Sequence, residues 1–87
     1  MSRPAVTLYS TSWCPYCTRA RALLQEKGLE INEIDVDEVD GKRAEMTARS
    51  GQGTVPQIFI GDRHIGGCDD LVALDDSGEL DRLIQGV

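Results

Sequence analysis

Residues 5 to 37 constrain the fold most, because a strand-like run, a helix-like run and a second strand-like run follow one another there with little chain between them. Ala5-Val6-Thr7-Leu8-Tyr9 is β-branched and aromatic, as a short buried strand requires, and Ser10-Thr11-Ser12 reads as a polar loop. Ala20, Leu23, Leu24 and Lys27 then recur at helical spacing until Gly28 supplies a stop. Glu30-Ile31-Asn32-Glu33-Ile34-Asp35-Val36-Asp37 alternates with period two, which predicts a second strand with Ile31, Asn32 or Ile34 near the core. Strand, helix and strand in this length form a βαβ unit, so the two strands are expected to be parallel with a right-handed crossover.

At the junction of the first strand and the helix stands Trp13-Cys14-Pro15-Tyr16-Cys17. Pro15 falls at a first-turn position, where its fixed φ suits a helix and its missing N–H is not needed. Cys14 is therefore expected at or just before the helix N-terminus, where unpaired backbone N–H groups and the helix dipole favour a thiolate. Cys17 lies within the same turn, less exposed and close enough to close a disulfide with Cys14. Two other readings of the pair exist. Both residues could be small buried hydrophobes, or they could be zinc or iron-sulfur ligands. A metal knuckle usually has a tight glycine-bearing turn and a second ligand pair, whereas Pro15 starts a helix and only His64 and Cys68 remain as further ligands.

Further along, residues 40 to 50 carry Lys42, Arg43, Ala44, Glu45, Met46, Ala48 and Arg49, a short charged helix closed by Gly51. A loop through Thr54-Val55-Pro56 leads to Gln57-Ile58-Phe59-Ile60, and Gly61-Asp62-Arg63 turns that run back into His64-Ile65 as an antiparallel hairpin. Gly66-Gly67 breaks the second strand. Asp69 and Asp70 suit the first turn of a helix through Leu71, Val72 and Leu74, and a last helix after Ser77-Gly78 shows Leu80, Leu83, Ile84 and Val87 on one face. The order βαβ-α-ββ-α predicts an α/β fold with a central four-stranded mixed sheet and helices on both faces. Its 87 residues make one domain, 1-87, that should bury roughly 60 to 70% of the unfolded chain's surface.

Charge and cysteine content exclude several classes. A net charge of -6 repels nucleic acid and anionic lipid alike. No apolar stretch approaches the ~20 residues of a membrane span. Three cysteines cannot form a complete disulfide framework, and Met1-Ser2-Arg3-Pro4 leads into the first strand without an apolar signal segment. An intracellular protein with mostly reduced thiols is expected.

The element order, together with Cys14-Pro15-Tyr16-Cys17, Thr54-Val55-Pro56 and Gly66-Gly67-Cys68-Asp69-Asp70, closely resembles the dithiol glutaredoxins of the thioredoxin fold over residues 5 to about 85. The resemblance implies a thioredoxin-like fold and a glutathione-dependent thiol-disulfide oxidoreductase whose redox-active disulfide joins Cys14 and Cys17. It also implies a cis bond before Pro56, although only ~5% of X-Pro bonds in folded proteins are cis. Glutathione would be the cosubstrate, with no tightly bound cofactor and no metal. The expected partners are glutathionylated or disulfide-containing proteins, with a glutathione reductase system acting indirectly, and the expected form is a cytoplasmic monomer serving redox homeostasis.

Thiol chemistry narrows the reaction. At pH 7, lowering a thiol's pKa from ~8.5 to ~5 raises its thiolate fraction about 30-fold, yet with a Brønsted slope of ~0.45 it cuts nucleophilicity about 40-fold. Attack gains almost nothing, whereas departure from a mixed disulfide gains, because a low-pKa thiolate leaves faster. Such a sulfur passes adducts onward. Deglutathionylation is therefore the expected main reaction: Cys14 attacks the glutathione sulfur of a protein-glutathione disulfide, and free glutathione resolves it. In the dithiol branch Cys17 attacks Cys14 instead. The rival reading is a two-chain, glutathione-ligated [2Fe-2S] carrier on the same fold, but such relatives usually have Gly or Ser where Pro15 stands. A thioredoxin-type reductant fed by a flavoprotein would not need the glutathione head-group site that Gly66-Gly67-Cys68-Asp69-Asp70 supplies.

Glutathione needs carboxylate receptors, an amine receptor and an extended backbone partner. Val55, before Pro56 and after Thr54, can offer its N–H and C=O as a strand would. The N–H groups of Cys68 and Asp69 suit the γ-glutamyl carboxylate, and the Asp69 side chain suits the amine. Read alone, Thr54-Val55-Pro56 is a plain loop and Asp69-Asp70 a plain cap. Tyr16 is expected to line the cleft. Trp13 shields the cleft or meets protein substrates, or it covers core at the strand end. Cys68 reads as a semi-buried thiol beside the ligand, or less simply as an oxidation site. His64 reads as a solvated strand residue, and the charges at 37 to 49 and 75 to 82 as solvated faces. Two positions depart from the commonest family pattern: Thr11 stands where many members have lysine, and Gln52 and Gly53 stand where a basic residue often precedes Thr-Val-Pro. Gln52, Arg49 and Arg19 are the candidate substitutes for the glycyl carboxylate. Replacing Thr11 by Lys is expected to tighten glutathione binding, and an unchanged glutathione-dependent rate in Thr11→Lys would overturn that.

Overall fold

A computed structural model describes residues 5–85, and Met1 to Pro4, Gly86 and Val87 lie outside the described residues. In chain order the elements are β1 (Val6–Ser10), α1 (Pro15–Glu26), β2 (Ile31–Asp35), α2 (Lys42–Ser50), β3 (Gln57–Ile60), β4 (Arg63–Gly66), α3 (Cys68–Ser77) and α4 (Glu79–Ile84). They build one four-stranded sheet in the order β2-β1-β3-β4. β1 pairs with β2 in parallel, Val6 opposite Ile31, and with β3 antiparallel, Val6 opposite Ile60 and Tyr9 opposite Gln57. β3 and β4 form the expected hairpin, but Arg63 belongs to the strand and the turn is only Gly61-Asp62.

Side-chain alternation divides the core between two faces. Val6 and Leu8 of β1 and Ile58 and Ile60 of β3 face α1, α3 and α4, meeting Ala20, Leu24, Leu71, Leu80 and Ile84. The opposite face places Tyr9 and Phe59 against Met46 of α2 and Val36. As the edge strand, β2 buries less than its alternation predicts. Ile31 packs on the first face and Ile34 on the second, while Asn32 is exposed.

Polar links fasten the helices to this frame. Tyr9 donates its hydroxyl proton to Glu45 Oε2 at 2.7 Å and accepts from Arg49 Nη1 at 2.8 Å, while the Arg49 guanidinium lies 4.1 Å from the centre of the Phe59 ring. Lys27 Nζ, at the end of α1, bridges Asp75 of α3 at 2.8 Å and Asp81 of α4 at 3.0 Å. Those two acids are thus inter-helix ties, and the expectation of a purely solvated face at 75 to 82 is corrected there.

Gly66 closes β4 with φ +118°, and a Cβ at that position would clash with the Asp70 carboxylate at Oδ2. That oxygen accepts the Gly67 N–H at 2.9 Å and so caps the start of α3. Gly66→Ala is therefore expected to destabilise the protein by about 2 kcal/mol through backbone strain and the displaced cap, read as a lower urea midpoint. A midpoint equal to wild type would overturn this account of the α3 start.

Candidate active site

Cys14 is the N-cap of α1: its backbone is extended (φ -143°, ψ 103°), Pro15 occupies N1, and its sulfur accepts the Cys17 N–H at 3.1 Å. Serine, threonine or aspartate usually takes this place, satisfying an N–H that has no partner within the helix. Here the sulfur does so, and the first turn of α1 holds no acidic residue to compete for the positive end of the helix. Cys14 is half-buried, whereas Cys17 is fully buried beneath it on the face shared with Ala20 and Leu24.

Burial pushes the Cys17 thiol up to about 12, and its hydrogen bond with Cys14 and the Cys14 charge push the same way. The Thr11 backbone amide and, more weakly, the Arg21 guanidinium pull it back. Arg21 is itself held on Glu33 by two hydrogen bonds of 2.6 and 2.5 Å, and Glu33 also accepts from Ser10 Oγ at 2.8 Å. This group under α1 leaves no trace in sequence periodicity.

Beside Cys14 opens a cleft of about 220 Å³ between the loop before β3 and the start of α3. Tyr16, Gln52, Thr54, Val55, Pro56, Gly67, Cys68, Asp69 and Asp70 line it, together with one residue the sequence reading did not assign to it, Gln57. The Val55–Pro56 bond is cis, as the resemblance implied. The Val55 carbonyl lies 4.0 Å from Cys14 Sγ and so joins the cleft to the nucleophile. Across the opening, the first turn of α3 directs the unpaired N–H groups of a ten-residue helix at the cleft.

Thr11 does not line this cleft; it is half-buried behind it, with its amide turned to Cys17. Arg49 is committed to Tyr9 and Phe59 on the α2 face, and Arg19 is exposed away from the lining. Gln52 does line the cleft, but its Oε1 is taken by Gln57 Nε2 at 3.0 Å. Arg43 reaches the same loop from α2, donating to the Gly53 carbonyl at 2.9 Å while paired with Asp37. Trp13 is 91% exposed, which rules out its covering core, and Tyr16 is 56% exposed on the rim. Cys68 is more buried than expected, at 5% exposure. His64 is corrected outright. Its ring is half-buried, tilted on Phe59 at 4.9 Å, with Nε2 bonded to Gln57 Oε1 at 2.7 Å. A glutamine inside an otherwise apolar strand, with a histidine one turn of hairpin away, was the available signal.

Among the described residues, no group of three or more His, Cys, Asp or Glu side chains is arranged to hold a metal ion, and no helix is long and apolar enough to cross a membrane.

A family model described as Glutaredoxin matches residues 6–65. The chain is 53% identical over 81 residues to a glutaredoxin of Pseudomonas aeruginosa, covering 93% of this chain and 96% of the relative. It is 55% identical over 80 residues to glutaredoxin 3 of Escherichia coli K12, covering 92% and 96%. Its structure superposes with a TM-score of 0.86 on the crystal structure of a buckwheat glutaredoxin-glutathione complex, at 32% identity over 97% of this chain and 78% of the other.

The raised Cys17 thiol carries a stability consequence. Because its folded value exceeds the ~8.5 of an unfolded cysteine, the contribution is fully present below pH ~8.5 and is lost as pH rises toward 12. Under reducing conditions, the stability gap between wild type and Cys17→Ala should narrow from pH 8 to pH 10.5, measured by urea unfolding. A gap that stays constant would contradict the burial argument.

Proposed function

The chain belongs to the glutaredoxin family and is a glutathione-dependent thiol-disulfide oxidoreductase; we propose that its main reaction removes glutathione from protein mixed disulfides through Cys14 alone. The observation that carries this reading is the position of Cys14 Sγ, which accepts the Cys17 N–H at 3.1 Å and sits 4.0 Å from the Val55 carbonyl at the mouth of the cleft. A ligand laid along Val55 as an extra strand would bring its own sulfur to Cys14. Its γ-glutamyl carboxylate would meet the N–H groups of Cys68 and Asp69, its amine the Asp69 carboxylate, and Tyr16, Thr54, Pro56 and Gly67 would form the walls. Gln52 and the surrounding backbone remain as receptors for the glycyl end. In a chain of net charge -6, these local donors are what makes an anionic ligand bind.

The steps balance as two exchanges. The Cys14 thiolate attacks the glutathione sulfur, the protein-glutathione S–S bond breaks, and the protein leaves as its thiolate. A second glutathione thiolate then attacks the glutathione sulfur on Cys14, forming oxidised glutathione and returning the charge to Cys14 Sγ. The Cys17 N–H is already aimed at the sulfur that must receive it, so little reorganisation accompanies departure. Cys17 competes for the same intermediate. Once Cys14 is capped, the Cys14 bond and charge that raise the Cys17 thiol are gone, but burial, the largest cause, persists. Cys17 therefore stays protonated and slow, and the dithiol branch to the Cys14–Cys17 disulfide is the minor route, used for protein disulfides.

The reading extends to a monomer of one domain acting in the cytoplasm without a tightly bound cofactor, with glutathionylated proteins as partners and glutathione reductase recycling the oxidised product. Against the [2Fe-2S] carrier stands Pro15 at N1, which fixes the turn at Cys14 that such relatives leave to Gly or Ser.

Glutathione-dependent reduction of a small mixed disulfide should fall to background in Cys14→Ser and persist within about threefold of wild type in Cys17→Ser, with a colourless monomer throughout. Loss of activity in Cys17→Ser would overturn the monothiol route. A brown dimer with little activity would make the cluster carrier the better reading.

A further inference from the structure

We propose that Gln57, oriented by His64, is a positioning residue that fixes the glutathione-binding edge of the loop and so sets affinity rather than turnover. Gln57 is 1% exposed, yet its amide is fully engaged. Nε2 donates to the Thr54 carbonyl at 3.1 Å and to Gln52 Oε1 at 3.0 Å, with Thr54 Oγ1 at 3.4 Å, while Oε1 faces His64 Nε2 at 2.7 Å. A peptide carbonyl only accepts, so the NH2 end must face Thr54 and the oxygen must face His64. His64 is thereby assigned as the donor through Nε2–H, which the neutral tautomer and the imidazolium both provide.

Geometry turns this buried bond into a binding determinant. The Thr54 carbonyl and the Val55 N–H belong to one planar trans peptide unit and point in opposite directions. Holding that carbonyl on the buried Gln57 amide aims the Val55 N–H away from it, and no acceptor among the described residues takes that N–H. The same amide holds Gln52 at the neighbouring wall. Two ligand-facing groups are thus set in place before glutathione arrives, and a loop ordered in advance loses less freedom on binding. Cys14 is fixed separately, by its own helix, so its chemistry does not depend on Gln57.

This inference rests on the glutathione site proposed above, and its test separates the two. Steady-state kinetics are run on the full reduced chain with the mixed disulfide of glutathione and mercaptoethanol, and alkylation of Cys14 by iodoacetamide is timed in parallel. Gln57→Met keeps the length and removes the donors, and it should raise KM about 10-fold with kcat and alkylation rate within about twofold of wild type. His64→Phe keeps the ring on Phe59 but loses the Nε2–H, and should raise KM about threefold. The double variant should be no worse than Gln57→Met. An unchanged KM in folded Gln57→Met, a fall in kcat with KM constant, or additive effects would overturn the proposal. If Gln57→Met does not fold, an unchanged KM in His64→Phe does the same. A wild type with no saturable dependence on the glutathione adduct would instead bring down the glutathione site itself.

Discussion

The bond from the Cys17 N–H to Cys14 Sγ is the contact around which the molecule is arranged. A helix begins with N–H groups that have no helical partner, and this chain gives one of them to a sulfur. Everything nearby serves that placement. β1 ends at Ser10, Pro15 fixes the first helical φ, and Cys17 is sunk against the sheet by the same face that buries Ala20 and Leu24. One thiol is left at the surface and the other beneath it, so the two cysteines differ in role because they differ in burial.

The sheet then supplies the second half of the site. β1 and β3 are the central strands, and the loop entering β3 brings Val55 alongside the end of β1, where α1 starts. β4 returns to the same edge and passes through Gly66 into α3, whose first turn faces the loop. Neither half is near the other in sequence: Cys14 and Val55 are 41 residues apart. The antiparallel pairing of β1 with β3 brings them together, and the two hydrophobic faces hold that pairing rigid.

Most of this was legible before the structure because it rests on local signals. Proline at N1, glycine after the last helical turn and alternation in β1 each have a one-residue cause, and the three motifs shared with glutaredoxins assigned eight of the lining residues. What escaped depends on distant pairing. His64 reads as a surface residue until Gln57 is seen beside it across the hairpin. Lys27 reads as part of the α1 face until Asp75 and Asp81 are placed at its tip. Arg49 was a candidate ligand residue from its charge alone, but the rotation of α2 carries it to the other side of the sheet, over Phe59. Asn32 and Ile34 are indistinguishable in period-two counting because they lie two residues apart on one face, and it is the edge position of β2 that leaves Asn32 exposed.

Trp13 gives the molecule a property separate from its chemistry. It is the only tryptophan in the chain, it is 91% exposed, and it is covalently adjacent to the sulfur that changes state. An indole in that position emits as it would in water. Whatever is attached to Cys14, or docked over it, alters the surroundings of this one indole. The protein carries its own optical gauge of active-site occupancy, at the one position where no label need be added.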